Sequence, residues 1–344
     1  MATGSGREGR FPRGWAVLAM ALLAGCGGSG GTGGADPAGS DPGDVPGDAI
    51  RVPDDGSAMD TAPEAVADMP EDGGGDGPEG ADPGEEGDGG HDPGTPDLPP
   101  VPEEIPPWQL ARQRALLAHA CQAPLRPGDV IHLLAHLACA ERLGMPGVPA
   151  GAVPDDAYDR VFQKMWRLDD TSDFDALRLV NLLFAASGHE AVSPVLWQRI
   201  EEALLGFKYW FSDPTPAREW EGRPVKDRMW YWSENHELVF RTVEYLLGQR
   251  FPDRTFQVTG QTGAWHRDRA RREILRWFSD RARWGFSEWL SDVYYNWDMN
   301  PLITLVEWAD DEEVRRKAAI VLDLVWLDVA LNIHRGNFGT THGR

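Results

Sequence analysis

The sequence predicts an all-α domain: an α/α toroid-like array of helical hairpins, complete or incomplete, behind a disordered acidic linker. Three observations predict it. From Trp108 onward, apolar residues recur at helical spacing. The segments carrying that spacing are punctuated by capping side chains, prolines and glycines. Stretches of alternating apolar and polar residues are rare, and the best of them, 255–259, is short. The irregular, aromatic-rich connections point to a toroid, in which inner helices and their loops line a cleft. No short repeat period supports a TPR or ankyrin array.

Taken in order, the helices are expected at 108–121, 129–143, 155–168, 173–186, 194–207, 234–249, 264–282, 300–309 and 311–333. Asp129 follows Pro127 and Gly128. Ser172 with Asp173, and Ser193 with Pro194, supply a capping side chain or a first-turn proline. Gly144, Gly188 and Gly248 sit at or near expected C-terminal ends. The segment 108–344, about 237 residues, is large enough for a hydrophobic core. Fourteen of the 15 tryptophans fall in it, and helix interfaces account for most. Trp220, Trp230, Trp232, Trp289 and Trp297 differ in lying in or beside charged loops, where an indole can face a ligand.

The N-terminal part is a different polymer. Residues 1–25 read as a signal peptide: Arg7, Arg10 and Arg13 precede an apolar run from Trp15 to Ala24, too short to span a bilayer. Leu23, Ala24, Gly25 and Cys26 resemble a bacterial lipobox. That resemblance implies lipidation of Cys26 and a membrane partner reached through the lipid anchor. The expected location is therefore the bacterial cell envelope, facing the periplasm or the surface. An ordinary secretory signal cut near Ala24 is the alternative. Residues 26–107 are dominated by Gly, Pro, Asp and Glu and hold 21 acids against Arg51. Such a stretch buries too little apolar surface to fold, and its self-repulsion suits a stalk. It carries most of the chain's net charge of −22, so the segment after it is only mildly acidic. Its acid spacing does not match a calcium loop.

Of the three cysteines, Cys121 and Cys139 remain for the domain, on two successive helices. An exported protein permits a disulfide between them, and two buried thiols are the alternative. No Cys/His spacing suggests zinc, and no phosphate loop, GxSxG or HExxH is present. No cofactor and no metal is expected. The basic run 267–276 alternates with Asp268 and Glu273 and reads as a solvated helix face, not a nucleic-acid surface.

The chemistry concentrates in Trp230, Tyr231, Trp232, Ser233, Glu234, Asn235, His236 and Glu237, three aromatics leading into the polar start of a helix. Some 60 residues later comes Tyr294, Tyr295, Asn296, Trp297, Asp298, Met299, Asn300, Pro301, Leu302. The pair of motifs resembles the toroid polysaccharide lyases, alginate lyases in particular, over roughly residues 225–310. The resemblance implies that Asn235 neutralises a uronate carboxylate, that His236 removes the ring proton, and that Tyr294 or Tyr295 protonates the leaving oxygen. Trp230, Trp232, Glu234 and Trp297 would bind the sugar. Trp297 stands where those enzymes carry their tyrosine, Leu290 where they carry an arginine, and Glu234 where they carry their first asparagine.

A uronate-polymer lyase is accordingly the expected function, with polysaccharide as partner and nucleic acid excluded. A glycoside hydrolase would use two carboxylates among Glu234, Glu237, Glu288, Asp292 and Asp298. A non-catalytic glycan-binding lipoprotein would keep only the aromatics. The structural roles of the same residues are plain too: Ser233 or Asn235 can cap the helix with Glu237 at capping-box distance, and His236, His266, His334 and the paired tyrosines can belong to a core or a solvated face. Nine helices are fewer than a six-hairpin ring requires, and the chain stops in a Gly-rich loop at 337–344. The sequence thus reads as the N-terminal part of a longer protein or as an incomplete ring.

Overall fold

A computed structural model describes residues 106–341. The expected signal peptide, Cys26 and nearly all of the acidic linker lie outside these residues. Among the described residues the chain forms nine α-helices: α1 (Pro107–Ala120), α2 (Val130–Leu143), α3 (Asp159–Trp166), α4 (Ser172–Ala186), α5 (Pro194–Leu205), α6 (Glu234–Arg250), α7 (Gly263–Trp284), α8 (Tyr294–Trp308) and α9 (Glu312–Leu331). Two antiparallel hairpins of two-residue strands interrupt them. β1 (Glu219–Trp220) pairs with β2 (Arg223–Pro224), and β3 (Ile333–His334) with β4 (Asn337–Phe338). None of the described helices is long and apolar enough to cross a membrane.

Local chemistry explains most boundaries. Asp129 Oδ1 accepts from the amides of Ile131 and His132 and opens α2, which stops at Gly144 with φ of 65°. Ser193, Thr262 and Asp311 cap α5, α7 and α9 in the same way. Two helix boundaries need correction, the first being that the helix expected at 155–168 spans only Asp159–Trp166. The helix expected at 300–309 begins six residues earlier, at Tyr294, with Pro301 inside it. Proline removes one backbone donor there, and the Thr304 hydroxyl bonds the Asn300 carbonyl one turn back. The stretch 255–259 is not a strand. Gly260 N bonds Phe256 O and Phe256 N bonds Gln261 O, a tight loop that turns the chain into α7.

The core is built around α6. Nearly all of this helix is buried, and it packs against α4, α7 and α8. It approaches α7 tightly at Gly248, where an added Cβ would collide with the Gly263 carbonyl oxygen. Packing continues outward through α4 to α2 and α1 on one side, and through α8 to α9 on the other. No extensive contact joins α1 or α2 back to α9, so the described residues form a helical array without an evident ring closure. A Cys121–Cys139 disulfide, with Cα atoms 6.7 Å apart, staples α2 to the end of α1. At the other end, the β3–β4 hairpin folds back. Phe338 stacks on Tyr295, and Thr341 bonds the carbonyls of Trp289 and Leu290. The Gly-rich tail is therefore tied to the loop that precedes α8.

Candidate functional site

The N-terminal ends of α4, α6 and α8 meet. Asp173, in the first turn of α4, accepts a 2.7 Å bond at Oδ2 from His236 Nδ1, in the first turn of α6. The imidazole stacks on Phe174 at 4.7 Å, and Phe174 stacks in turn on Trp297 of α8 at 3.9 Å. The Arg178 guanidinium lies 5.7 Å from the Trp297 ring centre. His236 and Trp297, 61 positions apart in sequence, thus share one stacked column. Asp173 fixes the orientation of the ring, and burial raises the Asp173 pKa against the opposing pull of His236.

Beside this column lies a group of buried acids. Glu234 opens α6; Glu288 comes from the loop between α7 and α8; Asp298 lies on the second turn of α8. All three are buried, and each offers a carboxylate oxygen within 4.8 Å of the others. Glu234 Oε2 accepts from the Ser287 amide at 2.7 Å and the Ser287 hydroxyl at 2.8 Å, and pairs with Arg281 of α7. Trp277 Nε1 donates to the Glu234 carbonyl at 3.1 Å. Asn235 Nδ2 donates to Glu288 Oε2 at 2.8 Å, and Ser233 donates to Asn235 Oδ1 at 3.0 Å. Asp298 is 0% exposed, and neither of its oxygens has a hydrogen-bond partner. Burial first, and then the neighbouring Glu288, hold its pKa well above the ordinary carboxylate range, with Arg281 opposing. The supporting loop contains Leu290 at φ of 51°, a left-handed conformation uncommon for so bulky a residue.

The residues singled out from sequence fall into three groups. Asn235, His236, Glu234 and Trp297 do come together with Glu288 and Asp298. Asn235 and His236 are engaged within the protein, and the His236 side chain is only 5% exposed. Tyr295 points elsewhere: its hydroxyl donates to Asp328 of α9 at 3.1 Å, and burial pushes its pKa up to about 12. Tyr294, partly buried, has its amide bonded to the Ser291 hydroxyl. Trp230 and Trp232, 47% and 62% exposed, flank the buried start of α6 in sequence, and Trp232 lies 4.3 Å from the Phe211 ring. Trp289, beside Glu288, is 59% exposed. Of the hydrolase candidates, Glu234, Glu288 and Asp298 are buried together, each with a carboxylate oxygen within 4.8 Å of the others.

Sequence reasoning missed Asp173 and Arg281 as members of this region. Asp173 read as a helix start, and nothing local connects it to a histidine 63 positions away. The basic run also needs correction: Arg269 turns inward to bond Glu244 and Asp213, and Arg271 binds Asp311 and Glu313. His266 is fully buried, with Nδ1 2.6 Å from Glu244 and Nε2 2.7 Å from the Thr259 hydroxyl. A separate cavity of about 450 Å³ lies near α3 and α5, lined by Trp166, Phe162, Arg199, Arg218 and Arg254 among others, away from these acids in sequence. Comparison with protein-family models, with curated proteins and with solved structures finds no match to this chain.

Proposed function

We propose that the helical domain binds polysaccharide at the N-terminal end of α6, as the glycan-reading part of a lipid-anchored envelope protein. The observation that carries the reading is the pairing of exposed indoles with a rigid buried base. Trp230 and Trp232 present apolar faces to solvent two to six residues before the buried residues Glu234, Asn235 and His236. Sugar rings pack on such faces, and an indole already fixed by its backbone loses little entropy on binding. Asn235 has both ends of its amide engaged and Tyr295 bonds Asp328, so the lyase assignments of these two side chains need a rearrangement to reach a sugar. The exported, lipidated state rests on the leader and Cys26, as read from sequence.

A uronate-lyase reaction is the second reading, and one observation favours it. A histidine held by a buried aspartate is the arrangement that orients a general base. The experiment is a panel of neutral and uronate polysaccharides. Binding is read by affinity electrophoresis, and elimination by ultraviolet absorbance of the unsaturated product. Binding that falls about tenfold or more in Trp230→Ala and Trp232→Ala, without new absorbance, supports the binding reading. Absorbance lost in His236→Ala supports the lyase. No retention of wild type by any polymer overturns both.

A further inference from the structure

We propose that Glu234, Glu288 and Asp298 form a binding site for a hard divalent cation, calcium in preference to magnesium. The inference goes beyond the glycan reading and does not depend on it. Three carboxylates gather in one buried place, where Arg281 is ion-paired to Glu234. Burying an acid this way costs free energy unless a proton, a donor or a cation offsets it. Donors are present for Glu234 Oε2 and Glu288 Oε2. Asp298, wholly buried within the cluster, has no donor to either oxygen, and Glu234 Oε1 has none either.

The geometry and chemistry fit one ion. With donor oxygens at most 4.8 Å apart, all three lie within about 2.8 Å of a common point, so an inward shift of a few tenths of an ångström lets one ion reach all three at Ca–O bonds of ~2.4 Å. The donors are all oxygens, with no histidine nitrogen or thiolate among them, which favours hard cations over zinc or copper. Calcium suits a closed set of carboxylates. Magnesium demands octahedral geometry and retains water, which a place this buried accommodates poorly. The donors come from α6, α8 and the loop between α7 and α8, so a bound ion would tie three parts of the fold together.

The test uses terbium, a luminescent stand-in for calcium, on the full chain after chelator treatment. Trp277 bonds the Glu234 carbonyl, placing an indole close enough to sensitise an ion there. Trp108 borders the acidic segment 27–107, so the folded cluster variants, which leave that segment intact, separate the buried site from weak binding to its acids. Saturable sensitised emission is expected, displaced by calcium at lower concentration than by magnesium. Asp298→Asn and Glu288→Gln should each weaken terbium binding by about tenfold or more, while exposed Asp268→Asn leaves it unchanged. Folding of each variant is checked by near-ultraviolet circular dichroism, and either folded cluster variant suffices for the comparison. Absence of sensitised emission, or emission indifferent to the folded cluster variants, overturns the site. So does a wild-type melting temperature unmoved by calcium while Asp298→Asn melts higher, the result expected of a shared proton.

Discussion

Helix α6 carries a buried polar group in each half, and the two are built on opposite principles. In its middle, Glu244 accepts from Arg241 at 2.8 Å, His266 at 2.6 Å and Arg269 at 2.7 Å, and Arg269 also grips Asp213. His266 stacks on Phe256 at 4.1 Å, and Arg241 covers Trp210 at 3.8 Å. Two acids face two arginines and a histidine, and nearly every polar atom is used. At its start, Glu234, Glu288 and Asp298 face Arg281, and Asp298 is unpartnered. The first group has its carboxylates matched by donors within the fold, with Arg241 Nε left over. The second retains unmet acceptors, as expected of a place that awaits something from outside the chain.

Breaking the matched group should cost most. Glu244→Gln leaves Arg241 and Arg269 without their shared carboxylate, and a loss of about 3–5 kcal/mol in urea unfolding is expected. A loss below about 1 kcal/mol would show that the network contributes little and blur the contrast. Next comes the seam between α6 and α7: Gly248→Ala drives a methyl into the Gly263 carbonyl and should cost about 1–3 kcal/mol. The unmatched group should respond with the opposite sign. In chelator, Asp298→Asn should raise stability by about 1–2 kcal/mol, because burial and Glu288 force the carboxyl to take up a proton on folding and an amide does not need one. If it instead destabilises as Glu244→Gln does, the two groups are alike.

The smallest effect concerns a half-buried cap as reference. Burial works against ionised Asp311, but the Arg271 bond and the amides of Glu313 and Val314 outweigh it and lower its pKa. Its contribution is therefore present above the unfolded aspartate value of about 3.9 and is lost as pH falls through the lower folded value. Asp311→Ala should cost about 1 kcal/mol at neutral pH, and the difference from wild type should shrink in acid. A difference that stays constant down to strongly acidic pH would remove Asp311 as the titrating group.

Much of the helical pattern was readable in the chain. Asp129, Ser193 and Asp311 announce their helices because a cap acts on amides two or three residues away. The start of α8 was hidden because Pro301 reads as a helix opening, whereas here Tyr294 to Asn300 are already helical. Trp230, Trp232 and the polar start of α6 stood out as a site from composition alone. Which of those side chains stay available did not, because availability depends on partners far along the chain.

The sequence by itself determined the helices, the disulfide-competent cysteine pair and the neighbourhood of Glu234, Asn235 and His236, since spacing and capping are local properties. Only the tertiary structure decided that His236 is held by Asp173, that Tyr295 turns to Asp328, and that Glu288 and Asp298 close on Glu234. Those pairings span 33 to 64 positions, and each exists because helix packing takes the acids out of water and sets them against groups from distant parts of the chain.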